Sequence, residues 1–163
     1  MKKLHGSCHC GAVSFICESK HPYPYQLCYC SICRKTTGGG GYSINLAASS
    51  DSLSIQGDEN ISFYQAIIKN PEENSSRVSS GRRNFCKKCG SMLWLYDPTW
   101  PELIHPFASA IDTELPTPPE RTHIMLDFVP SWVVPKFGPR DKKFGEYSEE
   151  SIEGWHKRLN LEC

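Results

Sequence analysis

Seven of the nine cysteines fall into three groups: Cys8 and Cys10, then Cys28, Cys30 and Cys33, then Cys86 and Cys89. That two–three–two pattern constrains the fold more than any hydrophobic run does. In a reducing compartment cysteines at such spacings are metal ligands more often than disulfide partners. A tetrahedral zinc site is closed by four thiolates, and seven cannot close two. The count predicts one closed site and one site with a position left open.

The chain has 163 residues, enough for one domain with a real core. We take residues 1–163 as a single zinc domain, with a core over 4–135 and a tail over 136–163. Lysine plus arginine equals aspartate plus glutamate, 18 of each. That balance argues against a nucleic-acid binder, which needs excess basic charge. No apolar run is long enough to span a bilayer, and Met1-Lys2-Lys3-Leu4-His5-Gly6 lacks the apolar core of a signal peptide. A cytoplasmic protein with no membrane partner is the expectation. Cys17 and Cys163 stand alone and read as a buried thiol and a tail thiol.

The pattern is mainly β. Residues 4–17 end in an alternating run, with Val13, Phe15 and Cys17 on one face. If Cys8-His9-Cys10 is extended, its two sulfurs share a face and His9 points away as a surface residue. Tyr42 to Leu46, Leu53 to Ile55, Ile61 to Ile68, Met92 to Tyr96, Phe107 to Ile111 and His123 to Val129 read as strands. Residues 69–82 are polar and read as an exposed loop from whose end, near Val78 and Ser80, a strand leads to Phe85. Ser148 to Leu161 reads as a helix capped by Ser148, with Ile152, Trp155 and Leu159 at helical spacing.

Gly38 to Gly41 either open a wall of a substrate pocket or make a flexible turn. They are not a phosphate loop, because no Gly-Lys-Ser/Thr ends the run. In Phe85-Cys86-Lys87-Lys88-Cys89-Gly90-Ser91 the Cys-x-x-Cys-Gly turn has the zinc-knuckle pattern. A redox Cys-x-x-Cys would need a helix starting at the motif, whereas a β-like run follows.

Cys8, Cys10, Cys86 and Cys89 together make a closed structural site with a charge of about −2 (four thiolates on one divalent ion). Such a site ties the first strand to the middle of the chain. Cys28, Cys30 and Cys33 then have no fourth cysteine nearby. Three protein ligands plus an open position is the arrangement of a catalytic zinc. An ion already holding three thiolates suits an incoming thiolate better than it suits making hydroxide. Alternatively His21, His105 or His123 supplies a fourth ligand and the site is structural.

Gly6-Ser7-Cys8-His9-Cys10-Gly11-Ala12-Val13, Cys28-x-Cys30-Ser31-x-Cys33-Arg34-Lys35-x-Thr37-Gly38 and Phe85-Cys86-x-x-Cys89-Gly90-Ser91 resemble one family. It is the glutathione-dependent formaldehyde-activating enzyme (GFA) family, which also includes centromere protein V. Ala110-Ile111-Asp112, His123-Ile124 and Pro130-Ser131-Trp132 extend the resemblance over roughly residues 6 to 132. It implies a β-tent fold of antiparallel sheets around zinc. It also implies a structural zinc on Cys8, Cys10, Cys86 and Cys89, and an active-site zinc on Cys28, Cys30 and Cys33. The implied activity is carbon–sulfur lyase chemistry on glutathione adducts, with S-hydroxymethylglutathione as the namesake substrate. Where relatives continue into bulky apolar residues after Gly38, this chain has Gly39, Gly40 and Gly41.

The reading is a zinc enzyme with two Zn2+ per chain and glutathione as co-substrate. Arg34 and Lys35 are candidates to hold a glutathione carboxylate, and Asp112 and His123 are candidate general acids. One rival is a non-catalytic zinc module for protein or nucleic acid, using Arg82, Arg83, Lys87 and Lys88. The other is a thiol redox protein using Cys86 and Cys89.

Overall fold

In the computed structural model, residues 1–37, 39–70 and 72–163 are described. The strands run β1 (Lys2–Ser7), β2 (Ser14–Ser19), β3 (Gln26–Cys28), β4 (Ser43–Ile44), β5 (Ala48–Ser49) and β6 (Ser54–Gln56). They continue as β7 (Ile61–Asn70), β8 (Ser75–Cys86), β9 (Met92–Tyr96), β10 (Leu103–Pro106), β11 (Thr122–Ile124) and β12 (Lys142–Lys143). Helix α1 spans Ser31–Thr37 and α2 spans Ile152–Arg158.

Three sheets result, ordered β1-β2-β6, β5-β10-β9-β8-β7 and β12-β11-β3-β4. The first two are antiparallel throughout. In the third, β3 and β4 are antiparallel while β11 runs parallel to both β3 and β12. The alternation of β2 is as expected: Val13, Phe15 and Cys17 are buried. They pack with Leu4, Leu46, Leu93, Trp94 and Ile104 in a core between the first two sheets. The rings of Phe15 and Trp94 meet edge-on at 5.1 Å.

Several boundaries differ from expectation, each for a physical reason. Residues 69–82 are largely strand rather than loop: β7 and β8 pair from Ile61↔Cys86 out to Asn70↔Ser75. β9 pairs with β8 only over Arg82 to Phe85. The outer hairpin is therefore solvated on most sides, which removes the period-2 signal that marks a half-buried strand. The strand expected over His123 to Val129 stops at Ile124, because Met125 turns into the left-handed region at φ 62°. The strand expected over Phe107 to Ile111 lies earlier, at β10, and a 3-10 turn follows at Ala108–Ala110.

The chain after residue 135 is built into the fold. β12 extends the third sheet, and the indole of Trp155 stacks on Tyr25 with ring centres 3.9 Å apart. The helix that carries Trp155 is capped by Ser151, whose hydroxyl accepts from the Gly154 N–H at 3.0 Å, and not by Ser148.

Candidate metal centres

The sulfurs of Cys8, Cys10, Cys86 and Cys89 all lie within 4.8 Å of one another. The Cys8–Cys10 and Cys10–Cys86 separations are 3.6 and 3.8 Å. Four sulfurs about 2.3 Å from one ion sit about 3.8 Å apart at tetrahedral angles, so the donor set fits a zinc-sized divalent ion.

Two matching turns build this cluster. In 8–13 the Cys8 N–H donates to Val13 C=O and the Gly11 N–H to Cys8 C=O, both at 3.0 Å. In 86–91 the Cys86 N–H donates to Ser91 C=O at 3.0 Å and the Gly90 N–H to Cys86 C=O at 2.8 Å. Each glycine directly follows the second cysteine of its turn, at φ 74° and 75°. No neighbouring atom would obstruct a Cβ at either position, so backbone conformation and not space calls for glycine there. Cys8 and Cys10 thus converge through a turn rather than along an extended strand. His9 is exposed, and its N–H donates to the Ser91 hydroxyl at 3.1 Å. The Ser91 hydroxyl also bonds the Cys89 thiol and, with backbone donors, holds it down to about 5.

Cys28, Cys30 and Cys33 form the second group, again within 4.8 Å. Cys28 ends β3, and Cys33 lies in the first turn of α1. Ile124, Met125 and Phe144 pack around them. The Cys33 N–H donates to the Cys30 sulfur at 3.3 Å. Hydrogen bonds from the Cys28 and Cys33 thiols hold Cys30 far below its ordinary value, while Cys28 is pushed well above. An entering dication would displace the thiol protons of this trio.

Among the described residues, no fourth histidine, cysteine or carboxylate joins this trio. The three histidines that could have closed it are engaged elsewhere. His21 bonds Glu162 at 3.0 Å. His105 Nδ1 bonds the Leu46 carbonyl at 3.0 Å. His123 is buried between the Tyr29 hydroxyl, 3.0 Å from Nδ1, and Asp141 Oδ2, 3.1 Å from Nε2. An ionised carboxylate only accepts, so Nε2 carries a proton, and in the neutral ring Nδ1 accepts from the Tyr29 hydroxyl. Burial pushes the Tyr29 hydroxyl up to about 12, which keeps it a donor.

Asp112 stands apart from the trio and accepts from the Ser7 hydroxyl at 2.7 Å. Arg34 is half-buried on α1 and Lys35 is exposed. Arg82 and Arg83 leave β8 on opposite faces: Arg82 lies over the Phe63 ring at 5.3 Å, and Arg83 Nη2 lies 3.9 Å from the Cys33 sulfur. The basic residues before the knuckle therefore do not form one patch. Strand alternation was the only sequence signal that could have separated these two arginines. Tyr147 is the other neighbour that sequence reasoning missed: its side chain is largely exposed, yet partial desolvation of its hydroxyl and the nearby cysteine sulfurs raise that group above its ordinary value.

The glycine run lies on a different cavity. Gly40 lines a hollow of about 430 Å³ with Tyr29, Tyr42, Arg121 and Trp132, and none of the three cysteines borders it. A Cβ on Gly41 would fall 2.5 Å from Val133 Cγ2, so close packing requires glycine there. Gly38 lies outside the described residues. Cys17 is a buried thiol that burial pushes up to about 11, and Cys163 is exposed.

The chain is mainly β, and its cysteines gather into one four-sulfur and one three-sulfur cluster, each able to hold a metal ion. The chain is a member of the glutathione-dependent formaldehyde-activating enzyme family, whose description matches residues 3–127. A Halomonas elongata protein named "Putative glutathione-dependent formaldehyde-activating enzyme" is 55% identical over 159 residues, covering 98% of each chain. The crystal structure of a Rhodobacter sphaeroides protein is similar at a TM-score of 0.50 and 24% identity, covering 71% of this chain and 92% of that one. That likeness concerns the fold alone. No helix among the described residues is long and apolar enough to cross a membrane.

Proposed function

We propose that the protein is a zinc-dependent carbon–sulfur lyase acting on glutathione adducts such as S-hydroxymethylglutathione. In this reading residues 1–163 act as one domain in the cytoplasm. Cys8, Cys10, Cys86 and Cys89 hold a structural zinc, and Cys28, Cys30 and Cys33 hold the active-site zinc. The observation that carries it is the trio of sulfurs with no fourth ligand among the described residues. Family membership and the name of the Halomonas relative supply the substrate class.

A zinc held by Cys28, Cys30 and Cys33 would supply a site that keeps an incoming thiol deprotonated at neutral pH. The protein's own residues do the rest. Ile124, Met125 and Phe144 exclude water from the sulfurs. The Tyr29–His123–Asp141 chain fixes the Tyr29 ring, which stands between Cys28 and Cys30 in the chain. Arg34 and Lys35, on α1 directly after Cys33, would meet a glutathione carboxylate in this reading. In the adduct-forming direction a C–S bond forms as the aldehyde C=O π bond breaks, and the proton from the thiol ends on the oxygen. The lyase direction is the reverse.

The test is metal content together with turnover. Protein purified under reducing conditions should carry two zinc ions, one removed readily by a mild chelator. The two-zinc protein should turn over S-hydroxymethylglutathione, and the one-zinc protein should not. Turnover that survives loss of the second zinc would defeat the reading.

A further inference from the structure

The three-cysteine site carries a charge problem that its ligands do not solve. Three thiolates on a divalent ion leave about −1, and an incoming thiolate takes the site to about −2. Glutathione brings further carboxylates. Something must make this site receptive to an anion.

Arg83 is placed to do so. It sits in the C-terminal part of β8, paired across to Tyr64 on β7 and Leu95 on β9, so its backbone is held from both sides. One arm of its guanidinium, Nη2, lies 3.9 Å from the Cys33 sulfur. The other arm, Nη1, is buried and has no hydrogen-bond partner. A buried cationic N–H without an acceptor is disfavoured, and an anionic oxygen is the acceptor that suits it best. A guanidinium fork fits a carboxylate better than a lysine ammonium does.

We propose that Arg83 is the specificity-determining residue of the three-cysteine site: one arm steadies Cys33, and the other receives a carboxylate of the thiol that enters. The site then selects anionic thiols over neutral ones of the same size. This rests on the reading that thiol adducts enter at Cys28, Cys30 and Cys33.

The experiment measures binding rather than turnover. Calorimetric titration of the zinc-loaded protein with glutathione and with glutathione diethyl ester gives a ratio of two affinities on one preparation, so incomplete loading cancels. Wild type should favour glutathione by roughly tenfold or more, the range of one charge-assisted hydrogen bond. Arg83→Gln should lower the ratio severalfold and leave only the preference that Arg34 and Lys35 supply. Arg83→Lys, which keeps the charge without the fork, should fall between and serves if Arg83→Gln folds poorly. A ratio unchanged in both variants overturns the assignment to Arg83 and leaves the thiol reading standing. If wild type binds both compounds equally, the selection itself is wrong. If loaded wild type binds neither, the proposed function fails and this inference fails with it.

Discussion

The two cysteine clusters are built in opposite ways. The four-sulfur cluster joins segments 76 residues apart in sequence, and two of its members, Cys10 and Cys89, are exposed. The three-sulfur cluster comes from a single turn, Cys28 to Cys33, and two of its three members are buried. On the proposed roles, the structural site would be expected inside and the reactive site outside. The arrangement follows instead from what each cluster joins. The first is a staple between the β1–β2 and β8–β9 connections, and it needs only to be closed. The second is a local arrangement resting on the third sheet, and on the proposed reading it holds an open position that calls for a controlled environment.

The largest effect should come from breaking the staple. Cys86→Ser removes a fully buried sulfur and leaves three sulfurs where four converge. Metal binding that joins distant segments is folding free energy, so the loss should be several kcal/mol and should leave the variant largely unfolded at 37 °C. Circular dichroism melts of wild type and variant check this. A variant that melts within a few degrees of wild type would show that the core between the first two sheets holds alone, and the contrast between the clusters would collapse.

Cys30→Ser tests the other side. Its partners are within three residues, so little chain entropy depends on them. Stability should fall by no more than the binding linkage of one ion, about 3 kcal/mol at a hundredfold excess over the dissociation constant. Bound zinc should drop from two per chain to one while the fold survives. Melting curves recorded with metal analysis on the same samples separate the two cases. Unfolding as complete as in Cys86→Ser would mean that both clusters are structural.

How much of this was legible in the sequence follows the same division. The knuckle at Cys86 to Gly90 was readable because spacing and the glycine encode it locally, and the structure repeats that turn around Cys8 to Gly11. The grouping of the sulfurs followed from counting. What could not be read is what depends on long-range placement. The outer part of the β7–β8 hairpin reads as a loop because it is polar on both faces. Arg83 reads as one of four basic residues near a knuckle until strand alternation turns it toward Cys33. His123 reads as a possible ligand or acid, yet Asp141, eighteen residues later, holds it against Tyr29. Nothing in the spacing of 123 and 141 announces that pairing, because irregular chain connects them.

That buried chain allows the finest test of whether the two regions are independent. Asp141 accepts from the backbone N–H groups of Gly138 and Arg121, both at 2.8 Å, and from His123 at 3.1 Å. Burial pushes its carboxyl up, but these donors and the His123 ring outweigh it, and the group titrates below its ordinary value. A carboxyl depressed in the folded state contributes stability that is fully present above its ordinary value, about 4, and is lost as pH falls through the depressed one. Asp141→Asn should therefore cost about 1–2 kcal/mol at pH 7, the worth of a charge-assisted hydrogen bond, and the gap to wild type should narrow as pH falls below about 4. Denaturant melts across that range check the sign, since a gap that widens in acid would reverse it. Because Tyr29 lies between Cys28 and Cys30, Asp141→Asn should also speed chelator removal of zinc from the second site and leave the first unchanged. Equal loss from both would mean that the third sheet supports the staple as well, and that the two clusters are not independent.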